Sequence, residues 1–323
     1  MRVGFCILLL SSYGVASELT WPTPSGRPTS GSLSDFIQPT ISGRTESGLF
    51  GMTRNDGSRF HEGIDIQPGW VDANNEPVDP ISAVMPGQIA YIERAVRGPY
   101  GRYVVIEHPT AELPVYTLYA HLASIDGGIR VGANVVAGQV LGRMGHTSAG
   151  VEPISVDRSH LHFEIGLRLS DNFNRWYNQQ PEFRGDPNIH GNYNGLNLAG
   201  FDPLPILLRS RSDFHMVVNN LPNALVVVAR TSSIPDFVRR YPQLSYGTAK
   251  NAAGWRIDFT WHGLPRRWTA LMAGDPTIPP SGWRIDRVYE NYRDTLEQRK
   301  MLEPGRTIPG ETLRRTMGVL LGT

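Results

Sequence analysis

The sequence predicts a mainly β protein of antiparallel strands, followed by a smaller α+β part. Three observations carry this. From about Arg44 to Gly200, short apolar runs of strand length alternate with Gly and Pro punctuation, and none shows a helical period. With 34 Gly and 25 Pro among 323 residues, the chain is rich in turn formers and suits many short elements. From about Pro203 the texture changes to a mixture of strand and helix patterns. The length admits two such units, and 40% apolar content supplies their core.

In chain order, residues 1–17, "MRVGFCILLLSSYGVAS", read as a secretory signal peptide: one Arg, an apolar run from Val3 to Leu10, then small residues near Ala16 and Ser17. The run is too short to span a bilayer, so the expectation is export to the periplasm, the cell wall or the medium, without stable membrane insertion. The single cysteine, Cys6, falls inside this segment, which leaves the exported chain without a disulfide. Residues 18–43, rich in Pro, Ser, Thr and Gly, read as an extended lead-in rather than a packed element.

Residues 44–202 form the predicted β domain, an all-β sandwich or small barrel with runs such as "RYVVIEHP", "VYTLYAHLASI" and "HLHFEIGL". Residues 203–323 form the predicted α+β domain. There "NALVVVAR" reads as a strand, "SIPDFVRRY" as a short helix, "WRIDFTW" and "RRWTALMA" as a strand pair, and "RIDRVYENYRDTLEQRKML" as a helix. Two "GWRID" copies, at Gly254 and Gly282, are too short to define a repeat and fit a shared strand start.

The net charge of +1 hides an asymmetry: residues 1–202 carry 14 Arg against 20 acidic residues, residues 203–323 carry 17 basic against 10 acidic. The basic part could touch an anionic polymer, although arginines scattered over solvated faces fit it better. No nucleic-acid motif accompanies it.

The chemistry-bearing residues are histidines. In "SHLHFEI" (Ser159 to Ile165), strand alternation puts His160, His162 and Glu164 on one side and Leu161, Phe163 and Ile165 on the other. In "RFHEGIDI", His61 and Asp65 are four apart, about 13 Å on a straight strand, and a turn at Gly63 lets them converge. In "VYTLYAHL", alternation groups His121 with Thr117 and Tyr119. Two imidazoles and a carboxylate suit zinc with a fourth position for water, and further histidines suit proton transfer or stabilisation of negative charge. Parity alone does not decide which of His160 and His162 is a ligand.

"FGMTRNDGSRFHEGIDI", "YTLYAHL", "VGANVVAGQVLGRMGHT" and "HLHFEI" together resemble, in order and spacing, the M23 peptidases, the lysostaphin and LytM type of peptidoglycan endopeptidase. The resemblance covers about Leu49 to Leu167. It implies a lysostaphin-type antiparallel β fold with the site in a groove on one sheet. It further implies one Zn2+ held by His61, Asp65 and His162, with His121 and His160 as the catalytic pair, and peptidoglycan peptides as substrate. The sequence departs from the family pattern before H-x-H: "GHTSAGVEPISVDRSHLHFE" is longer than the usual run and has Arg158 and Ser159 in place of Gly and Pro.

The other histidines read as structural: His108 as a strand-end surface residue, His146 as a loop residue, and His190, His215 and His262 as surface or satisfied core groups. Glu62 lacks the helix and second histidine of a zincin glutamate. Two other classes remain. A biotinyl or lipoyl carrier needs a lysine, and residues 1–249 have none. A non-catalytic wall-binding protein or activator of another wall hydrolase would lack part of the ligand set, which is complete here.

Overall fold

Alternating apolar residues set the strands, and the pairing of those strands places the site. The structure, a computed structural model, describes residues 18–323 except 27, 29, 30, 110, 151, 152 and 232. The signal-peptide expectation for residues 1–17 lies outside the described residues. The first half contributes β1 (Gly51–Arg54), β2 (Arg59–His61), β3 (Ile64–Ile66), β4 (Pro80–Ser82), β5 (Gly87–Arg97), β6 (Gly101–His108), β7 (Val115–Ala120) and β8 (Ser124–Ile125). β9 (Asn134–Val135), β10 (Val140–Arg143), β11 (Leu161–Arg168), helix α1 (Phe173–Gln179) and β12 (Leu198–Phe201) follow.

Seven strands form one sheet in the order β12-β11-β7-β6-β5-β9, with β3 also paired to β11. Every pairing in it is antiparallel, as the sequence predicts. β4, β10 and β8 make a three-stranded sheet, and β1 with β2 a hairpin. Leu161, Phe163, Ile165 and Leu167 of β11 are fully buried on the core side. Burial of four such side chains stabilises the strand by roughly 1.5–3 kcal/mol each.

The lead-in is irregular in conformation yet packed. Trp21 and Phe36 are buried edge to face at 5.8 Å, and Ile37 bridges Ile66 at the edge of the sheet. The Gln38 amide donates to the carbonyls of Asp157 (3.1 Å) and Ser159 (3.3 Å). Its Pro and Ser content predicts loop geometry correctly, but four large apolar side chains, Leu19, Trp21, Phe36 and Ile37, provide enough burial to dock it.

The second half contains α2 (Leu204–Arg209), α3 (Phe214–Asn220), β13 (Leu225–Arg230), α4 (Asp236–Arg240), β14 (Ser245–Tyr246), β15 (Gly254–Phe259), β16 (Pro265–Leu271), β17 (Trp283–Val288), α5 (Arg293–Gln298) and α6 (Glu311–Leu321). Its five-stranded sheet has the order β14-β16-β15-β13-β17. The two GWRID copies start β15 and β17, which flank β13 in matching register: Ala229 opposes both Trp255 and Trp283, and Val227 both Ile257 and Ile285. The expected helix over "RIDRVYENYRDTLEQRKML" is therefore shorter. Its first residues are claimed by the open edge of β13, and only Arg293–Gln298 is α-helical, because pairing outweighs a weak helical preference. One apolar cluster runs through both halves. Among the described residues, no helix is long and apolar enough to cross a membrane.

Candidate metal centre

β2 ends at His61 and β3 starts at Ile64, and the chain bends over Glu62 and Gly63 between them. A Cβ on Gly63 would lie 2.1 Å from the Phe163 carbonyl oxygen, so only glycine lets this turn press onto β11. Asp65 then sits directly opposite His162, and His162 opposite Ala120 on β7. His61 Nε2, Asp65 Oδ1 and His162 Nδ1 face one another at 3.0 Å between the two nitrogens and 3.1 Å from each nitrogen to the oxygen. Tetrahedral zinc with ligand bonds of about 2.0–2.1 Å requires ligand atoms about 3.3 Å apart. The donor set therefore fits such an ion, and these three residues are the one group suited to hold a metal among the described residues.

His160 and His121 stand beside this cluster. His160 Nε2 is 3.5 Å from Asp65 Oδ2, and the His121 and His160 rings are 4.7 Å apart. The alternation that groups His121 with Thr117 and Tyr119 fails at the end of the strand. His121 lies one residue past β7 with φ 61°, and this left-handed step brings its ring to within 5.8 Å of His162. All five residues are nearly buried, His121 being the most exposed at 8%.

Each of the four rings has one nitrogen occupied outside the cluster. Nδ1 of His61 donates to the Leu49 carbonyl (2.8 Å), Nδ1 of His121 to that of Thr147 (2.9 Å), and Nδ1 of His160 to that of Arg158 (2.7 Å). His162 is reversed, with Nε2 donating to Glu164 Oε1 at 3.0 Å. Because the acceptors are oxygens, these nitrogens carry the protons, and the other nitrogen of each ring is left for the cluster. Burial pushes the His121 and His160 pKa values down, so both rings are neutral at pH 7. Burial alone would raise the Asp65 pKa, yet the adjoining imidazoles of His160 and His61 and the Arg54 guanidinium hold it well below the usual carboxylate range.

Two participants escape sequence reasoning. Glu164 is buried and receives the Tyr100 hydroxyl on Oε1 and the Tyr116 hydroxyl on Oε2 (2.8 Å), which fixes the carboxylate that orients His162. Its place on the His162 face was readable; its three partners were not. Arg54 at the end of β1 reaches Asp65 Oδ2 with Nη2, which is also 2.8 Å from His61 Nε2. No spacing signal marks it.

His108 is a correction: it is buried, bonded to the Pro86 carbonyl and Thr117 Oγ1 at 2.8 Å each, and burial pushes its pKa down to about 4. It is the last residue of β6, as a strand-end residue should be, but it lies in the interior and not on the surface. His146 bonds the Ile154 carbonyl in its loop, His190 the Tyr103 hydroxyl and His215 the Gln243 carbonyl, and His262 is buried against Phe50. Glu62 is exposed.

Fold and donor set together define an antiparallel β protein with a two-histidine, one-carboxylate cluster suited to a metal ion. Residues 59–174 match the model of peptidase family M23. No curated protein matches the chain significantly. Among solved structures it is similar to a Pseudomonas aeruginosa protein assigned to peptidase M23 (24% identity, 32% of this chain and 37% of that one, TM-score 0.24). It is also similar to a LytM candidate glycyl-glycine endopeptidase of Ruminococcus gnavus (22%, 60% and 61%, TM-score 0.35). A third is the catalytic domain of the antimicrobial peptidase lysostaphin from Staphylococcus simulans (19%, 54% and 94%, TM-score 0.31). The chain spans less than two thirds of the first two.

Proposed function

We propose that the protein is an exported zinc-dependent endopeptidase that hydrolyses peptide bonds in peptidoglycan cross-links or bridges. The observation that carries this reading is the convergence of three metal-fitting donor atoms with two neutral imidazoles that each keep a bare Nε2. His61, Asp65 and His162 would hold one Zn2+. When bound, that ion supplies Lewis acidity toward the scissile carbonyl and lowers the pKa of water.

The chain's own residues do the rest. Either His121 or His160 accepts the proton of the attacking water at Nε2, and the resulting Nε2–H faces the negative charge that develops, then returns the proton to the leaving amine. The Thr147 and Arg158 carbonyls hold the two rings for this exchange. The near-burial of all five residues keeps bulk water from the site. Residues 44–202 are proposed as the catalytic domain, residues 18–43 as its lead-in, and residues 203–323 as a domain that supports or orients it. The complete donor set favours this over a non-catalytic wall-binding role.

The test is to incubate the secreted protein with isolated sacculi, with and without a chelator, and to identify released muropeptides by mass. Cleaved peptides that vanish with chelator and return with zinc are expected. Intact sacculi with the zinc-loaded protein would overturn the reading. Glu164→Gln probes the support of the site: it should weaken zinc roughly tenfold to a hundredfold in competition with a chromophoric chelator. Unchanged affinity would mean that His162 is oriented by other contacts.

A further inference from the structure

We infer that Arg54 is an anchor for a substrate carboxylate lying within about two residues of the scissile bond; this rests on the metallopeptidase reading above. Three observations lead there. First, only one nitrogen of the guanidinium is engaged. Among the described residues, Arg54 bonds Asp65 Oδ2 and His61 Nε2 through Nη2 alone, and its side chain is 22% exposed. When the lone pair of His61 Nε2 goes to a metal, the donor aimed at it is released, while Asp65 Oδ2 still holds the guanidinium in place. The released Nη2–H then pairs with whichever unengaged donor lies parallel to it, Nε–H or Nη1–H, in the fork geometry that matches a carboxylate.

Second, the reach is short. Nη2 lies 2.8 Å from a ligand atom, which puts it within about 5 Å of an ion bonded to that atom. A carboxylate bonded at about 2.8 Å lies within about 8 Å of the ion, or roughly two residues of extended chain.

Third, the opposite direction is closed. Rings run across the His162 face of the sheet with centroids 5.5 Å apart for His162 and Tyr100, 5.3 Å for Tyr100 and Tyr103, 5.2 Å for Tyr103 and Tyr91, and 5.9 Å for Tyr91 and Tyr193. Beneath them Leu118 and Ala120 have no exposure. His190 ties the covering segment down by its bond of 2.9 Å to the Tyr103 hydroxyl. The sheet face expected to form an open groove is therefore filled from His162 toward β5. With that direction filled, the peptide is assigned to the side of the β1–β2 hairpin, where Arg54 stands 22% exposed.

The chemistry recognised is a carboxylate. Two sources offer it: the free C-terminus of a stem peptide, or the unamidated carboxylate of a diamino acid at a cross-link. The experiment compares the zinc-loaded full-length protein with its Arg54→Gln and Arg54→Lys variants. One arm uses acetylated stem peptides ending in a carboxylate or an amide, and the other cross-linked dimers with the diamino-acid carboxylate free or amidated. Arg54→Gln should raise KM roughly tenfold to a hundredfold more for the free-acid form that is the source than for its amide, whatever it does to both through Asp65, with partial recovery of that acid-over-amide preference in Arg54→Lys.

Calorimetric binding of the acid and amide peptides provides the same comparison without turnover. An equal effect on acids and amides overturns the proposal, as does equal binding of both by wild type. Zinc content of the same samples separates the two ideas. A wild-type protein that binds no zinc sinks the metallopeptidase reading, whereas normal zinc with no acid preference sinks only the role of Arg54.

Discussion

His162→Ala is expected to lose bound zinc and peptidase activity together, whereas His121→Ala keeps the metal and loses turnover. His162 supplies Nδ1 at 3.0 Å from His61 Nε2 and 3.1 Å from Asp65 Oδ1. Its removal leaves a carboxylate and one imidazole, too few to close a tetrahedral site, and affinity should fall by more than roughly a hundredfold. His121 contributes no atom to that triangle, and its removal should cost roughly 10²–10⁴-fold in kcat with zinc retained. Elemental analysis beside a peptidase assay decides it: a His162→Ala protein that retains zinc refutes the ligand assignment.

The same residue predicts a pH dependence. Burial would lower the His162 pKa, but hydrogen bonds to Asp65 and Glu164 outweigh it and raise it to about 9 in the metal-free protein. The proton must leave before Nδ1 can bind a metal. Zinc affinity should therefore strengthen about tenfold per pH unit on going up, and level off near pH 9.

Truncation at Pro203 is expected to abolish cooperative folding of what remains. The Arg168 amide donates to the Tyr241 hydroxyl (2.8 Å), Arg240 pairs with Glu107 (2.6 Å), and the Trp176 indole donates to the Thr323 carbonyl (3.1 Å). Leu19 and Ser210 exchange bonds between the lead-in and the second half. Trp261 packs on Phe50 and Phe60 of the hairpin region that carries His61, and Arg299 lies over the Phe60 ring at 3.9 Å.

Uncovering the side chains that these contacts shield, at roughly 1.5–3 kcal/mol for each large one fully exposed, takes away stability on the scale of a whole domain, roughly 5–15 kcal/mol. Residues 18–202 alone should give a broad, non-cooperative melt, while the full chain melts sharply. A fragment with a sharp transition would show that the first half is autonomous. If the expectation holds, deleting the basic half cannot test whether it binds the wall; substituting its exposed arginines can.

The five polar side chains of the site were legible as types and spacings because each motif is local. His61 to Asp65 spans one turn, and His160 and His162 share one short run. Strand alternation also placed His162 correctly, since β11 is regular over Leu161–Arg168. It failed for His121, where a single residue with positive φ ends the alternation. The helical reading failed over the residues before α5, where a free edge of β13 recruited the chain into β17. Glu164 stayed silent because its hydroxyl partners are remote in sequence, and Arg54 because no periodicity links it to partners 7 and 11 residues on. Tyr100 and Tyr116 lie 64 and 48 residues from Glu164, and Asp65 lies on a different strand from Arg54.

By itself, the sequence determined the antiparallel β class of the first half and the identities of the imidazoles and carboxylate, because period-two patterning and short motifs act over a few residues. Only the tertiary structure decided which nitrogen of each ring is left bare, which way the sheet face is open, and that the second half braces the first. Those depend on carbonyls, hydroxyls and rings brought together from distant segments, and no local pattern encodes such meetings.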